Sequence, residues 1–189
     1  TTLISISPGQ IFGQGVASST SRAPLTISDA DALVQHGTYL AAVEPEMQKQ
    51  AQVQYLNKNA TTSIIGTSAN YLDVRKYSIS AGRMFTDAEE RGSRLVAVLG
   101  NTVVQNLGVS SGQELIGGTV RIQGIQFQVI GTLAPKGQGA TFGDPDDQIL
   151  IPLTTARYQI VGADRLRTIN VLAPSDSEVT IAMADAEKI

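Results

Sequence analysis

The chain has 189 residues and a formal net charge of −3 from 14 basic and 17 acidic side chains, with a hydrophobic share of 42% and no cysteine. A chain of this length should bury about 70% of its unfolded surface, so it needs neither metal nor disulfide to hold together. No cluster of Lys and Arg is long enough to track a phosphate backbone, which argues against nucleic acid, and without cysteine there are no thiol nucleophiles or thiolate metal sites.

In chain order, Leu3 to Ile6 reads as a strand halted by Pro8-Gly9, and residues 9–24, rich in Gly, Ser and Gln, read as a flexible loop. A helix follows, with Ser28 as N-cap, Asp29 and Asp31 in its first turn, and Gly37 as its stop after His36. Tyr39 to Val43 forms a short apolar run before Pro45. Ala51, Val53 and Tyr55 then alternate with Gln50, Gln52 and Gln54, the pattern of a strand with one wet face. Thr61 to Thr67 is rich in β-branched residues and predicts another strand.

From residue 68 the elements shorten. Ser78 to Ala81 predicts a strand and Gly82-Arg83 a turn, while Thr86 with Glu89 forms a capping box for a brief helix. Leu95 to Leu99 is continuously apolar, as suits a central strand buried on both faces. Asn101 caps a helix through Leu107, stopped by Gly108. Val120 and Ile122 lead through Gln123-Gly124 to Ile125, Phe127 and Val129, a hairpin. A loop of Gly, Pro, Asp and Gln spans 135–147, and a strand runs from Ile149 to Ile151, closed by Pro152. Thr154 caps a helix ended by Gly162, and Leu166 to Leu172 is a strand. Ser175 with Glu178 caps a last helix carrying Val179, Ala182, Met183, Ala186 and Ile189 at helical spacing. The unalternating mixture of strands and helices predicts an α+β fold. Uncharged stretches at 1–21 and 95–113 are too polar for membrane spans, and no secretory signal pattern is visible; any anchoring segment is expected outside this chain.

The search for chemistry finds little. His36, the single histidine, sits in a last helical turn, where a cation complements the helix dipole, so a surface capping role is preferred to a catalytic one. No Gly-x-Ser-x-Gly elbow is present. Asp144, Asp146 and Asp147 form the one dense carboxylate cluster, of a kind suited to a hard cation. An EF-hand loop from Asp144 would need Gly at 149 and Glu at 155, where Ile149 and Thr155 stand, and a solvated, turn-forming loop is the preferred reading. Gly137, Gly139 and Gly143 follow Lys136 instead of preceding a Gly-Lys-Ser/Thr, so they match no phosphate-cradling motif. No catalytic residue, cofactor site or metal site is expected.

Several stretches carry a family resemblance: Leu25-Thr26-Ile27-Ser28-Asp29-Ala30; Ile65-Gly66-Thr67-Ser68-Ala69-Asn70-Tyr71-Leu72-Asp73-Val74 running to Gly82-Arg83-Met84-Phe85-Thr86; Val96-Ala97-Val98-Leu99-Gly100; Phe127-Gln128-Val129-Ile130-Gly131-Thr132-Leu133; and Asp146-Asp147 with Ile151-Pro152-Leu153-Thr154-Thr155-Ala156. In order and spacing they resemble the extracytoplasmic core domain of permeases in the macrolide-exporter (MacB-like) class of ABC transporters. The resemblance implies a domain between the first and second transmembrane helices of a four-helix permease, on the periplasmic or extracellular face of the membrane. It implies two parts: a porter-like α/β sandwich made from both chain ends (residues 1–67 and 152–189) and a smaller β-rich insertion (68–151).

It also implies a function without local catalysis. A cytoplasmic ATPase module supplies the energy, a second permease copy completes a dimer, and exporter members engage a periplasmic adaptor and an outer-membrane channel. Within that frame the loop at 135–147 is the expected partner-facing surface, with Gln138, Phe142, Asp144, Asp146 and Asp147 as contact residues, and the alternating strand at 50–57 comes second. The alternatives are a module that binds or senses a peptide, lipid or small molecule between the two parts, and a hydrolase, disfavoured by one His and no Cys.

Overall fold

The computed structural model describes the chain apart from residues 1, 9, 14–15, 20–23, 39, 138–142, 179, 182–183 and 185–189; of residues 10–13, 16–19 and 176 it describes the backbone. The fold is mixed α and β, and the chain divides into two compact units, 1–47 with 163–189, and 48–162. The first is made from both chain ends and the second is inserted within it. The inserted unit is the larger, because the strand at 58–67 pairs in parallel with the one at 148–152 and so belongs with the insertion, as does the segment 153–162. From sequence, both segments fell to the other part.

The end-built unit contains β1 (Thr2–Ser7), β2 (Gln10–Gly13), β3 (Val16–Ser19), α1 (Ile27–His36), the first part of β4 (Ala42–Tyr55) and the last strand, Thr168–Ala173. Its strands are antiparallel in the order β3-β2-β1-last strand-β4. The segment expected as a loop at 9–24 therefore contains a β-hairpin. Its composition is that of a loop, but the open edge of β1 supplies backbone partners, and ladder bonding outweighs weak local propensity. Nor does Pro45 break the chain: it lies within β4 opposite Ile169, so tertiary pairing absorbs the loss of one N–H donor. Ile4, Ile6, Met47, Ile169, Val171 and Ala173 are all buried. The cap of α1 is Thr26 instead of Ser28. Thr26 donates to Asp29 Oδ2 from its backbone N at 2.7 Å and from its hydroxyl at 3.0 Å. His36 is exposed in the last turn.

The inserted unit holds the rest of β4, then β5 (Lys58–Thr67), α2 (Tyr71–Arg75), β6 (Ile79–Gly82), α3 (Asp87–Arg91), β7 (Val96–Leu99), α4 (Asn101–Asn106), β8 (Thr119–Ile122), β9 (Ile125–Leu133), β10 (Gln148–Pro152) and α5 (Leu153–Thr155), which continues as π-helix over Ala156–Val161. Pairing runs β4-β5-β10-β7-β9, and β8 joins β9 back to β4 through Val53–Ile122 and Gln54–Arg121. Six strands thus close a ring, which removes their free edges. The final strand of the chain is β11 (Thr168–Ala173).

Period-2 alternation divides the apolar residues of this ring. Ile64, Ala97, Leu99, Val129, Ile149 and Ile151 point one way and are almost fully buried, and α4 packs against β5, β9 and β10. Ile65, Val96, Val98, Ile130, Leu133 and Leu150 point the other way and meet Tyr71 and Phe85 in one cluster. All four residues of β7 are buried, as its unbroken apolar run requires. Gln123 and Gly124 both take positive φ, the conformation of a tight two-residue hairpin.

The remaining caps divide between local and tertiary causes. Thr86 and Glu89 form a complete capping box on α3. Arg83 adds a forked pair to Glu89 at 2.8 and 2.9 Å. By contrast, α4 is capped at Gly100, not Asn101, because the Asp146 carbonyl passes so close that a Cβ there would lie 2.2 Å from it. Thr154 is not a helix cap either. It donates to the Glu90 carbonyl, and Thr155 to that of Arg94 at 2.8 Å, tying α5 to the α3 segment. Gly162, in the left-handed region, ends the π-helix as its position predicts. Towards the C-terminus Ser175 precedes a 3-10 turn over Asp176–Glu178 and its hydroxyl donates to Glu178 Oε2 at 2.8 Å; Val179, Ala182, Met183, Ala186 and Ile189 lie outside the described residues.

The Arg83–Glu89 pair gives a pH dependence of known sign. Hydrogen bonds from Arg83, then the Thr86 backbone, hold the Glu89 carboxyl at about 2, below its ordinary 4.5. A lowered folded-state value stabilises the fold above the ordinary value, and that contribution is lost as pH falls from 4.5 towards 2. With Arg83 half-exposed and screened by solvent, Glu89→Gln should cost about 1 kcal/mol at pH 7 and almost nothing near pH 2, read by chemical denaturation across that range.

Candidate functional site

The stem of the 135–147 loop is held by its own carboxylates. Asp146 is buried; its Oδ1 accepts from the Lys136 backbone N at 2.8 Å and its Oδ2 from that of Gly137 at 3.3 Å, which clamps the two ends of the loop together. Asp144 Oδ1 accepts from the Asp146 backbone N at 2.9 Å, a local turn, and its Oδ2 accepts from Thr102 Oγ1 of α4 at 2.6 Å. Asp147 Oδ1 accepts from Thr62 Oγ1 of β5 at 2.7 Å. Three acids within four residues therefore reach three different anchors: the opposite arm of the loop, a helix and a strand.

An aromatic column supports the same stem. The Tyr71 and Tyr77 rings stack with centroids 5.5 Å apart, and Lys136 Nζ lies 4.2 Å from the Tyr77 centroid while donating to the Arg75 carbonyl. Tyr77 donates to the Pro145 carbonyl at 2.9 Å and Tyr71 to Gln148 Oε1 at 3.2 Å. Burial raises the Tyr77 phenol above its ordinary value. Burial, and then the neighbouring Arg75, lowers the Lys136 ammonium.

Of the residues expected at a partner surface, Asp144 is exposed, Asp147 half-buried and Asp146 buried. Gln138 and Phe142 lie outside the described residues. With five of their six carboxylate oxygens accepting protein hydrogen bonds, the acids do not converge on a common point, and no metal-holding group of three or more His, Cys, Asp or Glu occurs among the described residues. The arrangement fixes the described stem of the loop to a strand and a helix. Thr62, Thr102, Tyr71, Tyr77 and Lys136 have no motif to announce them, since their roles arise from pairings between distant strands.

Asp146→Ala should cost about 2 kcal/mol, because the Lys136 and Gly137 N–H groups lose their buried carboxylate acceptor. Amide exchange at Lys136 and Gly137 should accelerate selectively. Unchanged exchange there would show that the clamp does not hold the loop.

Compared with known proteins, residues 1–189 match the family model described as MacB-like periplasmic core domain. The chain is 33% identical over 176 residues to the macrolide export ATP-binding/permease protein MacB of Syntrophobacter fumaroxidans, covering 93% of this chain and 24% of that protein. It thus spans about a quarter of the length of such curated relatives. Its fold is similar to the crystal structure of the periplasmic region of MacB from Actinobacillus actinomycetemcomitans, with TM-score 0.80 and 25% identity over 100% of this chain and 82% of that one. The extracellular domain of the noncanonic ABC-type transporter YknZ from Gram-positive bacteria shares the fold, with TM-score 0.74 and 18% identity, over 89% of this chain and 83% of that one.

Proposed function

The chain belongs to the MacB-like periplasmic core domain family, and from that premise we propose that it is a non-catalytic relay in an ABC-transporter permease. In this reading a separate cytoplasmic module hydrolyses ATP, membrane helices outside this chain carry the movement outward, and two copies of the domain open and close to drive cargo export. The porter-like role falls to the part built from both chain ends. The loop at 135–147, through Gln138, Phe142 and Asp144 with Asp146 and Asp147 at its base, contacts a periplasmic adaptor that leads to an outer-membrane channel.

The observation that supports the loop's role is its stem. A relay must pass displacement to its partner without yielding, and the Asp146 clamp, the Thr62 and Thr102 anchors and the tyrosine column fix the loop's base to a strand and a helix. Replacing residues 138–142 by a short glycine linker in the intact permease should leave ATP hydrolysis running while export falls at least tenfold. Unchanged export sinks the loop's role. A ligand-sensing module is the other reading. A tight ligand at 100 times its dissociation constant would stabilise the chain by about 2.7 kcal/mol in a thermal-shift screen, whereas the relay predicts no such ligand.

A further inference from the structure

The wall of the inserted unit formed by β4, β8 and β9 has an unusual chemistry. Gln50, Gln52 and Gln54 are exposed on one face of β4, with Gln48 half-buried at its end; Gln48 and Gln50 donate to Ser63 Oγ, and the inward neighbours Ala51 and Val53 are buried. Pairing brings Gln54, Arg121 and Gln126 into one row across three strands, with Thr119 and Gln128 in the next. Gln123, at the hairpin tip, donates its backbone N–H to the Gln52 carbonyl. Seven of the fifteen glutamines in the chain thus share one wall. Gln48, Gln50, Gln52 and Gln54 on β4, and the exposed positions on β8 and on β9 from 125 to 128, include no acid, and Arg121 is the one cation among them; Lys49, exposed at the alternate parity of β4, donates to the Ile160 carbonyl. Gln54, Leu56, Thr119, Arg121 and Gln126 line an open depression of about 240 Å³. Leu56 stands at its rim, 79% exposed and in the left-handed region, at φ 52°.

A wet sheet face needs polar side chains, but Lys, Glu and Thr would serve as well as glutamine. Carboxamides differ in that each both donates and accepts without charge. The same description fits a hydroxyl. Nucleic acid or an anionic lipid surface would call for several cations where this wall has one. A protein partner would call for buried aromatic or aliphatic anchors, and Leu56 alone does not make that core. We propose that this wall binds a polyhydroxylated glycan chain of the cell envelope. The row Gln54–Arg121–Gln126 grips sugar hydroxyls and amides, Leu56 packs on a ring face, and Arg121 pairs with the sparse carboxylates of an acidic glycan. This goes beyond the relay reading, and it needs only the periplasmic placement of the domain.

Co-sedimentation of the chain with insoluble chitin, an uncharged glycan, and with purified peptidoglycan sacculi, an acidic one, tests it. The chain should pellet with both. The double variant Gln54→Ala/Gln126→Ala should lose at least fivefold in retention on each, with an unaltered melting midpoint because both sites are exposed. Arg121→Ala should weaken retention on sacculi while sparing chitin; equal retention of this variant on sacculi would overturn the role given to Arg121. Failure of the unmodified chain to pellet with either glycan, or undiminished retention of the double variant, overturns the proposal whatever the outcome of the loop replacement in the permease.

Discussion

Tyr71→Ala is expected to lower the stability of the inserted unit by about 4 kcal/mol and its melting temperature on the order of 10 °C. The ring is 1% exposed and packs with Phe85, Ile65, Val98 and Leu150, so truncation leaves a cavity that β-strands on both sides cannot close. It also removes the stacking partner of Tyr77 and the donor to Gln148 Oε1. Without the Tyr71 hydroxyl, the Oε1 of buried Gln148 loses that donor. Tyr71→Phe separates the two contributions. It keeps the ring and should cost about 1 kcal/mol. A loss below 1 kcal/mol for the alanine variant, measured by denaturant unfolding, would mean that the column does not support the stem.

The second large effect lies in the end-built unit. Asn170 is fully buried and its amide nitrogen donates to Glu44 Oε2 at 2.7 Å and Glu46 Oε1 at 2.9 Å, while its Oδ1 accepts from Ser5 Oγ at 2.8 Å. The pattern follows from register: Ser5, Asn170 and Glu44 are directly opposed across β1, β11 and β4, and Glu46 follows Glu44 on the same face. Asn170→Leu keeps the volume but takes one donor from each of two buried carboxylates, an expected loss of about 3 kcal/mol at neutral pH. Asn170→Asp should be worse there, because a third carboxylate replaces the shared donor. Its deficit should shrink on acidification, as a protonated carboxyl can again donate. A neutral effect of the leucine variant would contradict the structural weight given to this bridge.

These two sites show what the sequence makes legible and what it does not. Local signals are read well: the Thr86–Glu89 box, the Gln123-Gly124 turn, the buried run of β7 and the wet face of β4 each depend on neighbours within a few residues. What escapes is whatever depends on partners far along the chain. The hairpin of β2 and β3 exists because β1 offers an edge, Pro45 stays in a strand because β11 lies opposite, and Gly100 replaces Asn101 as a cap because Asp146 passes overhead. The candidate site divides the same way. The acidic loop stands out from composition, yet the opposed directions of its carboxylates come from Thr62, Thr102 and Lys136, which only the fold brings near.

The most direct test of a domain driven from elsewhere is a distance measured while nucleotide is supplied. Because this chain has no cysteine, single thiols introduced at exposed Val34 in one unit or Leu56 in the other give one label per copy of the domain in an otherwise cysteine-free permease dimer. Pulsed electron spin resonance between copies should show the separation at both sites shifting when ATP binds the cytoplasmic module. Identical distance distributions with and without nucleotide, in a permease that still exports, would contradict the account.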